Sequence, residues 1–493
     1  MRHKIRQHLE SMKPHWGKIV ALSPLFFLIF FGYVLSNVTA SVLFVERVGV
    51  QYLPFIYVIG ALLIVLAGLA ITSFTEKKSI ARVLLTLVGF GLAVFMELYW
   101  VITFENTWAY SFFLLFSQTL YLLLSGTLIW NLAVKLCSPF EAKKNFIYYS
   151  IGASLGGITA GLLPTFLGIH FSTENYVLIL ISTLFLAALN LVYLERKYKA
   201  LLLPEVNLEK TFKTDFITRG FRSFKKIRIV KLLFATLTLF YSISWIADFE
   251  LQKILSENFE EGRFTELYGL TAFAQSILLI GVLLFLESSL VKKFGVLNVL
   301  LSTPLILVPA FIALLFFPTP AVVITAALVT NVVTYSLFVN SSNFVFTALP
   351  HNLRNNVSTF IRANADAAAM LAAGAGLLVL SQFLPNQWIV VATLLVLLDV
   401  AVIIYYLRAE YLKQITLNLN SENREDMHTA IENFGERVYR KVGVQELMKL
   451  IGWKKMDAET VRKVIFTLSK IDNIQVIPAL LEIFNQYDNT VKY

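Results

Sequence analysis

Stretches of about 20 apolar residues, separated by short polar breaks, recur along the first 408 positions of this 493-residue chain. A helix of that length crosses a hydrocarbon core of roughly 30 Å and satisfies its own backbone polar groups where no water is present. Hydrophobic residues make up 57% of the chain and charged residues 15%, whereas a soluble domain carries roughly 25% charge, so lipid is the expected solvent. The first run, Ile19 to Phe44, is too long for the apolar part of a signal peptide and lacks a small-residue cleavage site. It reads as a permanent span. The single cysteine, Cys137, cannot form an intramolecular disulfide and reads as a small core residue.

Twelve spans are expected, at 19–44, 52–74, 83–104, 108–134, 146–169, 174–194, 232–249, 266–290, 295–317, 319–347, 357–383 and 386–408. An even number puts both ends on one side. Lys4, Arg6 and Lys18, then Lys77, Lys78 and Arg82, then Lys143 and Lys144, then Lys292 and Lys293, then Arg354 all fall on that side, which is the cytoplasmic one if basic residues stay inside. A bacterial inner membrane with both termini in the cytoplasm is the expected setting. The net charge of +10 follows from this bias, so no nucleic-acid partner is expected.

Residues 195–231 form a basic break that divides the spans six and six. It reads first as an orienting tether between halves, and secondly as a segment lying on anionic headgroups. The expected organisation is an N-terminal segment 1–18, a six-helix half 19–194, the linker 195–231, a second half 232–408 and a helical tail 409–493. The halves resemble each other. Glu76, Lys77 and Lys78 after span two recur as Glu287, Lys292 and Lys293 after span eight, and the glycine-rich span after Pro139 recurs after Pro350. An all-α protein of two parallel six-helix repeats has the architecture of the major facilitator fold.

The segment Leu128 to Gly157 contains Trp130, Asn131, Glu141, Ala142, Lys143, Lys144, Phe146, Gly152 and Gly156. It resembles ATP/ADP translocases of the bacterial and plastid type, where a Trp and a polar residue precede an E-A-K-R-F-like turn and a Gly-rich helix. Leu53 to Leu63 is similar to that family's P-F-L-K segment, with Tyr57 at the Lys position, and a phenol supplies no cation for a phosphate. The resemblance implies exchange of nucleotides or other anionic solutes, a monomer, and gating roles for Glu141, Lys143 and Lys144.

Ionisable groups within spans are costly, so each is a candidate for function. Glu97, Asp248, Glu250, Asp366 and Asp399 qualify, and Arg362 stands four residues before Asp366, where the two can neutralise each other. Glu97 has an interfacial alternative beside Trp100. Asp248 and Glu250 border an acidic loop and read as solvated unless Tyr241 and Trp245 set them in a cavity. Asp399 has no partner near in sequence and needs another helix or a wet path. Spans one, four, seven and ten line the cavity of the major facilitator architecture, which implies contacts from Tyr33, Asn37, Gln118, Asn131, Tyr241, Trp245, Asn331, Tyr335 and Asn340. Each is equally able to serve as interhelical glue.

No phosphate-loop glycine pattern, HExxH or CxxC occurs, so neither an enzyme nor a cofactor or metal site is expected. The tail carries Val461, Val464, Ile465 and Leu468, then Val476, Leu480, Leu481 and Ile483, on two segments that resemble one HEAT-type pair. One such pair buries its face only against something else. The primary functional expectation is a secondary transporter of a small polar or anionic solute by alternating access. The alternative is a non-transporting scaffold or sensor that binds a cytoplasmic protein through the tail.

Overall fold

The structure, a computed structural model, describes residues 16–75, 79–102, 104, 106–137, 139–202, 224, 227–421, 423–434 and 458–469. Among the described residues, twelve helices are long and apolar enough to cross a membrane. They are α1 (Trp16–Arg47), α2 (Leu53–Thr75), α3 (Ile80–Ile102), α4 (Thr107–Leu136), α5 (Pro139–Leu167) and α6 (Tyr176–Lys197), then α7 (Arg228–Asn258), α8 (Glu261–Leu286), α9 (Val296–Phe316), α10 (Pro320–Ala348), α11 (His351–Phe383) and α12 (Asn386–Leu419). Among the described residues there is no strand. Large apolar side chains such as Leu66, Phe90, Trp100, Phe285 and Tyr405 are exposed on the outer faces, where lipid tails solvate them.

The two halves are copies of one packing plan. The first packs α1 on α4, α5 and α6, with α3 on α6; the second packs α7 on α10, α11 and α12, with α9 on α12. Across the halves α5 meets α8 and α2 meets α11, which is again one contact made twice. A local device recurs as well. Both α4 and α10 contain a π-helical turn, Leu124–Leu128 and Val333–Phe338. In both copies a serine hydroxyl within the turn bonds the carbonyl four residues before it. Ser125 donates to Tyr121 O at 2.6 Å, and Ser336 donates to Val332 O at 2.5 Å. Ser125 and Pro139 stand 211 positions before Ser336 and Pro350.

Without a hydrophobic force between helices in lipid, close packing of backbones has to supply cohesion, and small residues permit it. A Cβ on Gly156 of α5 would lie 2.3 Å from Phe27 O of α1, and one on Gly161 would lie 2.5 Å from Phe273 N of α8. Gly374 of α11 likewise sits against Pro54 O of α2, whereas Gly376 has nothing within 4 Å. The seams that join the halves therefore lie in the part of the membrane away from the termini. Nearer the terminal face α2 and α11 part around an apolar crevice of about 310 Å³ lined by Leu62, Val65, Phe234 and Phe360.

Three departures from expectation stand out. Helix α7 runs to Asn258 instead of ending near 249, because Leu251, Gln252, Ile254 and Leu255 are all buried. Helix α12 continues through Leu419 without a break at 408, held by Tyr411, Ile415 and Leu419 in the core and by Asn418, which donates to Ala348 O at 2.7 Å. The tail begins with α13 (Arg424–Phe434), packed on the end of α12, and α14 (Ala458–Ser469), joined to it where His428 Nε2 lies 2.9 Å from Thr460 Oγ1. The second segment of the HEAT-like pair, with Val476, Leu480, Leu481 and Ile483, lies outside the described residues. So does most of the basic linker. Cys137 is buried, with Sγ 3.4 Å from the Tyr149 hydroxyl.

Candidate functional site

A cavity of about 140 Å³ lies between the halves, bounded by α1, α7, α8, α10 and α11. Helix α1 contributes Tyr33 and Asn37, α7 contributes Ser244, Trp245 and Asp248, α10 contributes Asn331 and Tyr335, and α11 contributes Asp366. Tyr33 and Asn37 are four residues apart, as are Ser244 and Asp248, and Asn331 and Tyr335, so each helix turns one face inward. The π-turn of α10 is held on α7 at this level. Ser244 Oγ lies 2.9 Å from Thr334 Oγ1, and Phe240 stacks on Phe338 with ring centroids 3.7 Å apart.

Two carboxylates dominate the lining. Trp245 Nε1 donates to Asp366 Oδ1 at 3.0 Å, binding α7 to α11. Asp248 accepts from the Tyr268 hydroxyl at 2.8 Å and from Gln252 Nε2 at 2.6 Å. Every one of these donors is neutral, and among the described residues no Lys or Arg lines the cavity. Arg362 does not pair with Asp366: its guanidinium donates to Asn343 Oδ1 at 2.8 Å and lies 5.8 Å from the Phe346 ring centre. Tyr57 is buried, its ring lies 5.1 Å from that of Trp245, and its hydroxyl has no partner.

Seven residues anticipated from the sequence thus meet at one place: Tyr33, Asn37, Trp245, Asp248, Asn331, Tyr335 and Asp366. The others are elsewhere. Tyr241 stands one turn from Trp245, its ring 6.4 Å from that of Tyr335. Gln118 is half-buried with Oε1 unbonded, Asn131 is exposed, and Asn340 donates to Ser336 O of its own helix at 2.9 Å. Helix α4 offers the cavity only Leu122. Glu97 is exposed on α3, and Asp399 is exposed on α12 between Leu395, Leu398 and Val402, on the face turned to lipid. Glu250 is buried and accepts from Asn386 Nδ2 at 2.8 Å, an α7–α12 tie remote from the cavity. The side chains of Glu141, Lys143 and Lys144 lie outside those described, although their backbone forms the first turns of α5.

Sequence reasoning missed Tyr268, Thr271 and Gln275 of α8, and Gln252. The signal for Gln252 was its place four residues after Asp248 on one helix. Nothing comparable marked α8.

On the face away from the termini, three chain ends converge above the cavity. Arg47, the last residue of α1, lies 3.2 Å from Glu174 Oε1 in its own half and 2.9 Å from Glu261 Oε2, the first residue of α8. Thr173 and Thr265 hydroxyls approach at 3.2 Å beside it, again across the halves. These contacts join the two halves on that face.

No family model and no curated protein sequence matches the chain. Solved structures match its fold. A nucleoside transporter, NupG, aligns with a TM-score of 0.54 at 15% identity over 80% of this chain and 98% of its own. A bacterial homologue of the human lysosomal transporter Spinster, in an inward-facing and unoccupied conformation, aligns with a TM-score of 0.52 at 13% identity over 80% and 97%. A POT family transporter in complex with a thioalcohol-conjugated peptide gives 0.52 at 13% identity over 80% and 96%. The chain has the twelve-helix, two-half fold of major facilitator type.

Proposed function

We propose that the protein is a secondary active transporter that moves a small polar solute by alternating access, with its halves rocking about the central cavity. The observation that carries this reading is the cavity itself: two carboxylates and a set of hydroxyl, amide and indole groups face a void at the junction of two pseudo-symmetric halves. Polar groups cost several kcal/mol in lipid unless satisfied, so a shared inward orientation favours a ligand site over scattered glue. The ion pairs at Arg47 and the close α5–α8 and α2–α11 seams on the same side fit a conformation sealed at one face. By the distribution of basic residues we place the termini in the cytoplasm, so the sealed face is the external one.

A nucleotide fits the lining poorly. Phosphate sites are built from Lys, Arg or a helix N-terminus, whereas the lining here carries two aspartates, and Tyr57 stands where the family resemblance would ask for a Lys. The test is opening rather than substrate. In a Cys137→Ser background, Thr271→Cys is labelled with a membrane-impermeant maleimide from each face of the vesicle in turn. Reactivity from both faces, shifting in opposite directions when the Arg47 ion pairs are removed, supports alternating access. Reactivity from one face under every condition, with no saturable uptake of any solute, supports the scaffold.

A further inference from the structure

We infer that the cavity selects a small organic cation, a compact solute bearing one ammonium group, and this rests on the transporter reading above. The lining presents Asp248 from α7 and Asp366 from α11, whose described hydrogen-bond donors are all neutral. A carboxylate withdrawn from water needs a counter-charge or a proton, because neutral hydrogen bonds do not replace the lost hydration in full. Among the described residues, none in the lining supplies a counter-charge. Arg362, the cation nearest in sequence to Asp366, is turned to Asn343 and Phe346, and the cation at the external face, Arg47, is bound by Glu174 and Glu261.

Three aromatic residues face the same void: Tyr33 from α1, Trp245 from α7 and Tyr335 from α10. Rings around a cation attract it through their quadrupoles, most strongly where water is excluded. That arrangement suits an alkylammonium better than an inorganic ion, which prefers a close shell of oxygens. The size agrees. About 140 Å³ is near the roughly 150 Å³ of a cavity that holds benzene, so a solute of about six heavy atoms fits. The remaining polar lining, Asn37, Ser244 and Asn331, is neutral and able to take a hydroxyl or amide on the same solute.

tert-Butylammonium and tert-butanol share one shape and separate charge from size, and pivalate, somewhat larger, presents the opposite charge on the same tert-butyl group. Thermal unfolding of the full chain in detergent is followed against each. We expect tert-butylammonium alone to raise the midpoint, saturably and by about 2 °C or more, and Asp366→Asn and Asp248→Asn to abolish that rise. Both variants are to remain monodisperse with a cooperative transition, and Asp366→Glu keeps the response if either asparagine variant fails to fold. A rise with pivalate, a rise that survives both substitutions, or an effect of pH with none of tert-butylammonium overturns the proposal. The last result makes the carboxylates proton sites. None of these outcomes bears on the maleimide accessibility of Thr271→Cys, which tests transport independently.

Discussion

Arg47 reaches Glu261 at 2.9 Å, and the two belong to different halves of the molecule. With Glu174 it closes the face opposite the termini at the point where α1 ends and α8 begins. The group is partly exposed, 39% for Arg47 and 23% for Glu261, so solvent and salt screen it. Its contribution is of the order of 0–1 kcal/mol, which corresponds to at most about a five-fold change in the balance between open and closed. We expect Arg47→Ala to raise the labelling rate of Thr271→Cys from the sealed face by about two- to five-fold, and more at low salt than at high.

The indole of Trp245 is the only described donor to Asp366. Trp245→Phe keeps an aromatic face and deletes the hydrogen bond, leaving a carboxylate without a partner. A bond to a charged group contributes about 1.5–3 kcal/mol. The variant should lower the unfolding midpoint and reduce binding of any cationic probe. A variant with unchanged stability and binding would show that Asp366 is solvated by water in the cavity.

Gly156 and Gly376 occupy small-residue helices of opposite halves and should respond in opposite ways. An alanine at Gly156 meets Phe27 O at 2.3 Å and forces α1 and α5 apart, at a cost of about 1–3 kcal/mol. An alanine at Gly376 meets nothing within 4 Å and should be neutral or stabilise the helix by up to ~1 kcal/mol. Unfolding midpoints of the two variants decide the matter.

Asp399 is a lipid-facing carboxylate flanked by Leu395, Leu398 and Val402. An acidic residue at the centre of a spanning helix costs roughly 2.5–3.5 kcal/mol on insertion scales. Asp399→Leu should therefore raise the yield of inserted protein and leave ligand-induced stabilisation intact. If the substitution abolishes ligand response, the residue acts through a contact that a single chain does not display.

Much of the site was legible in the sequence because polar atoms are expensive in lipid. The cost of charge in lipid singled out Asp248 and Asp366, and the cavity-lining spans of the major facilitator architecture singled out Tyr33, Asn37, Trp245, Asn331 and Tyr335, all now facing one void. The same two criteria picked Asn131 on one ground and Glu97 and Asp399 on the other, and all three face outward. In a soluble helix the apolar stripe tells which side is buried. A membrane helix is apolar all round, so α12 gives no such sign at Asp399.

The sequence by itself determined the solvent, the number of spans and the two-half plan, because span length and the repeat of charged loops depend only on order along the chain. The tertiary structure alone decided which helices close the cavity, that α8 serves it with Tyr268 while α4 gives only Leu122, and that Arg362 turns from Asp366 to Asn343. Those choices depend on rotation of each helix about its axis. Contacts across helices fix that rotation, and no spacing within one helix records it.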